Sequence, residues 1–153
     1  KKNKPEYIYI KNKELGTYSD DEKIVKVIAG KFKDVEGPER NHNVEPIYFH
    51  IVLKNEKEFS CDVPEGHNSF IYLLKGQIKV GKANHEKTTD SNLILLKQGK
   101  SLQINAEKES EFLFIAGKPI GEPIARGGPF VMNTKAEIIE AINDYQNGTF
   151  AKY

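Results

Sequence analysis

Histidine and cysteine come first, because imidazole nitrogens and thiolates are the side chains best suited to hold a metal or attack a substrate near neutral pH. The chain offers His42, His50, His67 and His85, and a single cysteine, Cys61. A metal centre that activates a substrate needs three or four N or O ligands converging on one point, with a position left open. No two of these histidines have the i, i+2 spacing of one strand face or the i, i+4 spacing of one helix face. A makeshift set of His67, Asp62 and His42 can be drawn, but ordinary polar or interface roles suit these residues better. His85 lies in a polar loop over residues 82–91 and reads as solvated. Cys61 has no histidine or basic neighbour to stabilise a thiolate, so it reads as a small buried side chain. The segment Gly117-Lys118-Pro119-Ile120-Gly121 lacks the spacing of a phosphate-binding loop. Arg126, followed by Gly127, Gly128 and Pro129, could approach a carboxylate closely, yet anchoring the next helix is its simpler role. The residue types thus assign no catalytic, cofactor-binding or metal-binding side chain.

The elements that would position such groups are mostly short strands. Apolar and β-branched runs predict strands near residues 7–10, 24–29, 47–53, 59–63, 70–74, 77–80, 93–96, 102–104 and 112–116. Turn residues separate them, among them Gly16, Asp20-Asp21, Gly37-Pro38, Pro64-Glu65-Gly66, Lys75-Gly76 and Gln98-Gly99. Many short strands at close spacing argue for an antiparallel sandwich or barrel and against alternating β–α units. One helix follows, expected from residue 135 to about 147. Thr134 and Glu137 form a capping box at its start, Ile138, Ala141, Ile142 and Tyr145 share one face, and Gly148 is placed to end it.

Two strands carry a further signal. In 47–53 the inward set is Ile47, Phe49, Ile51 and Leu53, while the opposite face holds Tyr48, His50 and Val52. In 69–74, Phe70, Tyr72 and Leu74 oppose Ile71 and Leu73, so both faces are apolar. A strand facing water alternates cleanly, so this sheet is expected to carry a covering layer. Tyr48, His50 and Val52 are the candidate interface, and His50 reads as a histidine hydrogen-bonded there.

The run Tyr72-Leu73-Leu74-Lys75-Gly76 resembles the end of the first cupin motif. Counted back from it, the family's His-x-His positions fall on Asp62 and Pro64 and its glutamate on Asn68, while Leu102 stands where the later histidine is expected. Across the chain, Val27-Ile28-Ala29-Gly30, Gly37-Pro38, residues 64–76, Phe114-Ile115-Ala116-Gly117-Lys118-Pro119, Glu122-Pro123-Ile124-Ala125-Arg126, residues 128–134 and Asp144-Tyr145-Gln146-Asn147-Gly148 closely resemble the C-terminal half of the pirin family. The resemblance implies an all-β cupin, a jelly-roll double-stranded β-barrel with a C-terminal α-helix, one of two tandem cupins in a parent about twice as long. It also implies iron in the N-terminal cupin, whose ligands have no counterpart here, so no cofactor is expected in this chain. Some members resemble quercetin 2,3-dioxygenases and others act through protein contacts. The expected function is therefore a metal-free structural and interaction half. An oxygenase of quercetinase type (in the parent) and a small-molecule-binding cupin are the alternatives, the last favoured by a polar lumen.

The bulk properties set bounds. At 153 residues the chain suits one domain, with a linker or first strand over 1–20, the barrel over 24–117, and a loop and helix over 118–153. With 23 basic against 22 acidic side chains, no long-range field favours nucleic acid or an anionic membrane. No apolar run approaches bilayer-spanning length, and one cysteine is compatible with a reducing cytoplasm. The opening Lys1-Lys2-Asn3-Lys4-Pro5 reads as interdomain sequence of a longer parent. The expected partner is that parent's N-terminal cupin or a second copy of the chain.

Overall fold

The computed structural model describes residues 7–38, 43–81 and 88–150. His42 and His85 lie outside the described residues, so the makeshift ligand set is left with His67 and Asp62. The chain divides into two compact units, residues 10–119 and the remainder.

The larger unit opens with a 3₁₀ turn, Asn12–Glu14, and then strands β1 (Gly16–Ser19), β2 (Lys23–Ala29), β3 (Lys31–Phe32), β4 (Val35–Glu36) and β5 (Ile47–Leu53). After these come β6 (Glu58–Asp62), β7 (Asn68–Lys75), β8 (Gln77–Val80), β9 (Thr88–Thr89), β10 (Asn92–Leu95), β11 (Ser101–Ala106) and β12 (Ser110–Gly117). Among the described residues they form a six-stranded sheet in the order β1-β2-β5-β12-β7-β10, a four-stranded sheet in the order β6-β11-β8-β9, and a separate two-stranded ladder of β3 and β4. Among the described residues every ladder in both larger sheets is antiparallel. This is the antiparallel two-sheet arrangement that the strand spacing predicts, and it is consistent with the cupin jelly roll that the family resemblance implies. The expected strand at 7–10 is absent: Tyr7, Ile8 and Tyr9 are exposed and unpaired in any sheet, and the first strand begins at Gly16.

Alternation decides what is inside. β5 buries Ile47, Phe49, Ile51 and Leu53, and β12 buries Phe112, Phe114 and Ala116, while Phe59, Ile78 and Ile104 come from the four-stranded sheet. The two inner faces share one core. Phenylalanine rings run through it in series: Phe114 to Phe49 at 6.1 Å, Phe49 to Phe32 at 5.8 Å, Phe32 stacked on Phe59 at 5.4 Å, and Phe59 to Phe112 at 6.0 Å. Ring pairs at these separations add about 0.5–1.5 kcal/mol each beyond area burial.

The smaller unit holds a hairpin of β13 (Ala125–Gly127) and β14 (Phe130–Met132), followed by helix α1 (Lys135–Gln146). Thr134 Oγ1 accepts the Glu137 amide at 3.2 Å, and Glu137 accepts the Thr134 amide at 3.0 Å, so the capping box is complete. At the other end Gly148 takes φ +69°, and the amides of Gly148 and Thr149 bond the Tyr145 and Asp144 carbonyls, the two bonds of a Schellman stop. Ile138 and Ala141 are buried, and Tyr145 packs edge-on against Phe130 at 6.0 Å. A Cβ on Gly127 would collide with Ile138, so this glycine sets how closely hairpin and helix approach. That is the anchoring role expected of the Arg126-Gly127-Gly128-Pro129 run. No described helix is long and apolar enough to cross a membrane.

Candidate functional site: a metal-ligand position filled by other residues, and an apolar sheet face

The four positions matched to cupin ligands do not converge as a ligand set. Asp62 ends β6 and is exposed, Pro64 sits exposed in the following turn, and Asn68 is exposed at the start of β7. Leu102, paired with Cys61 across the ladder, is 5% exposed and belongs to the hydrophobic core. Proline and leucine have no donor atom for a metal, and Asn68 Oδ1 faces the Gln98 amide at 3.4 Å. The iron that the family resemblance implies does not fit these residues, and no chemical step is derived through it. Among the described residues no group of three or more His, Cys, Asp or Glu side chains is arranged to hold a metal.

The two described histidines have other work. His50 Nε2 lies 2.7 Å from Glu111 Oε1, fixing its ring on the outer face of the six-stranded sheet. His67 is buried, and its Nε2 stands 3.2 Å from the Glu45 carbonyl, which assigns the donated proton to that nitrogen. Its Nδ1 is buried and has no hydrogen-bond partner among the described residues. Cys61 is a core-facing thiol: burial first, and the Asp62 charge beside it, push it up to about 12. The lumen holds packed phenylalanines instead of a polar lining, so the small-molecule alternative finds no support there.

The candidate interface residues are brought together, and they extend further than the two strands singled out in the sequence. Tyr48, His50 and Val52 are all half-buried and share one face of β5. Register carries that face across the sheet: Tyr48 opposes Ile115, Ile115 opposes Phe70, and Phe70 opposes Leu95. A parallel row runs Lys26, His50, Leu113, Tyr72 and Leu93. Leu93 and Leu95 are 56% and 77% exposed, large values for leucine. Sequence reading missed Leu113, Ile115, Leu93 and Leu95. The signal was present in β12, where Leu113 and Ile115 alternate with Phe112 and Phe114, so that both faces of a central strand are apolar.

Comparison with known proteins agrees with this geometry. The profile of the Pirin C-terminal cupin domain matches residues 48–151. A solved structure of quercetin 2,3-dioxygenase from Acinetobacter baumannii superposes with a TM-score of 0.80 at 34% identity, covering 94% of this chain and 50% of that one. Human pirin is 33% identical over 94% of this chain and 50% of its own length. A Thermoplasma acidophilum relative, provisionally named a quercetin 2,3-dioxygenase, is 34% identical over 97% of this chain and 59% of its own. The chain spans about half the length of the curated relatives it matches.

Proposed function

The chain belongs to the pirin family as a C-terminal cupin domain, and on that premise we propose that it is the metal-free structural and interaction half of a two-cupin protein. One observation carries the reading: the continuous apolar outer face of the six-stranded sheet, from Tyr48 through Ile115 and Phe70 to Leu95. A partner cupin, in a longer chain or in a second copy of this one, covers that face with an interface of order 1,000 Å². His50 and Glu111 supply a fixed polar pair within it, which sets orientation more than strength. Asp62, Pro64, Asn68 and Leu102 at the ligand positions support a division in which metal chemistry belongs to the other half.

The Acinetobacter relative supports an oxygenase of quercetinase type for such a longer protein. In that reading this chain contributes architecture and no reacting group. A cytoplasmic location is in keeping with the lone, unreactive thiol.

Sedimentation tests the proposal. The chain should self-associate at high concentration or be less stable than a two-cupin parent, and Tyr48→Asp with Val52→Asp should abolish association while leaving the β-sheet circular dichroism unchanged. A strict monomer as stable as the two-cupin parent and indifferent to these substitutions sinks the reading.

A further inference from the structure

One edge of the four-stranded sheet presents hydrogen-bonding groups on which no described strand lies. Among the described residues β6 pairs only with β11. Across that ladder the Val63 amide bonds the Lys100 carbonyl, and the Ala106 amide bonds the Lys57 carbonyl. In an antiparallel pair alternate residues exchange both main-chain bonds, so these fixed points turn the main-chain groups of Phe59 and Cys61 onto β11. The N–H and C=O groups of Glu58, Ser60 and Asp62 therefore point off the sheet. Their side chains are exposed, whereas Phe59 is fully buried.

Beside this edge lies a groove of about 760 Å³, whose lining includes Lys31, Phe32, Lys33, Ser60, Asp62 and Gln103. Its lysines are already engaged. Lys31 Nζ is 3.4 Å from Glu36, and Lys33 Nζ bonds the Tyr18 hydroxyl while standing 4.0 Å over that ring. Glu58 and Asp62 have no ion-pair partner among the described residues.

Charge selects the occupant. Pairing β6 with β6 of a second copy about Ser60 would set Glu58 directly across from Asp62, twice, and like charges in that position repel. Basic residues at those two places reverse the sign. We propose that β6 is a docking edge for an extended peptide segment of a partner protein with the pattern basic-x-polar-x-basic. Its basic side chains lie beside Glu58 and Asp62, and its intervening residues are apolar, on the side of Phe59 and Cys61. Main-chain bonds to Glu58, Ser60 and Asp62 hold it, and the charges fix its register.

The probe is a fluorescent, end-blocked Lys-Val-Thr-Val-Lys peptide titrated into the full chain at low salt. Saturable binding is expected, with new hydrogen-exchange protection at the Ser60 and Asp62 amides and none added at Phe59 or Cys61. A Glu-Val-Thr-Val-Glu peptide should bind at least about tenfold more weakly, as should the lysine peptide N-methylated on its β6-facing amides. Glu58→Lys with Asp62→Lys, its fold checked by circular dichroism, should reverse the preference. Equal binding of the N-methylated peptide would mean surface charge attraction alone and overturn the proposal. So would no saturable binding at millimolar peptide, protection elsewhere on the chain, or a folded double variant that still prefers lysine.

Discussion

Asp20 shows how one carboxylate organises a turn. Its Oδ1 accepts the Glu22 and Lys23 amides, each at 2.8 Å, and its Oδ2 accepts the Tyr18 hydroxyl at 2.8 Å, tying β1 to β2. Burial alone would raise its pKa, but the Glu22 amide, Tyr18 hydroxyl, Lys23 amide and Lys23 charge outweigh it and bring the carboxyl down to about 2. A carboxyl depressed in the folded state stabilises above its unfolded pKa, and that stabilisation is lost as pH falls from about 4 towards 2. Asp20→Asn should therefore lower stability at pH 7 and flatten its fall across that window, measured by urea denaturation at stepped pH. An unchanged acid slope would contradict the assignment. Cys61 gives a second test at this scale. With its thiol at about 12, reaction with a disulfide reagent at pH 8 should be at least about a hundredfold slower than in the urea-unfolded chain. Comparable rates would mean the thiol is not held in the core.

The elements divide by how much chemistry their ends and faces write into the sequence. Helix α1 was legible to within a residue, because Thr134, Glu137 and Gly148 each have a specific local partner. Thr134→Ala should cost about 1 kcal/mol, read as a shift in denaturation midpoint. Gly127→Ala should cost more, since its methyl must displace Ile138 from a packed contact, and an equal or smaller loss would count against that close approach. The long strands β5, β7 and β12 were legible from their apolar runs. The two-residue strands β3 and β4 and the hairpin of β13 and β14 were not, because two or three residues contain no period to read. The run at residues 7–10 misled for the complementary reason: its aromatic and β-branched residues have strand propensity, but no described strand pairs with them. The apolar outer face was half legible. Tyr48, His50 and Val52 announce themselves along one strand, whereas the rows through Ile115 and Leu113 exist only after pairing sets the register.

At the scale of the whole molecule, the proposed division of labour between two cupins is tested by metal content. The purified chain should contain well under one equivalent of iron, copper or zinc and should consume no oxygen with quercetin. About one equivalent of metal, lost on His67→Ala, would reverse that reading, since the unpaired Nδ1 of His67 would then be a ligand. The sheet order also has a consequence for how the chain comes into being. β12 is the last strand of its sheet to be synthesised, yet it lies in the middle, between β5 and β7. Until residues 110–117 leave the ribosome, β5 and β7 each lack a neighbour, and Phe112 and Phe114 are missing from the core. Folding must wait for a late, distant segment, and a nascent chain stalled before it displays two apolar strands with bare edges. A version ending at Ala106 should therefore remain unfolded and bind chaperones, whereas one ending at Pro119 has every strand of the barrel to close.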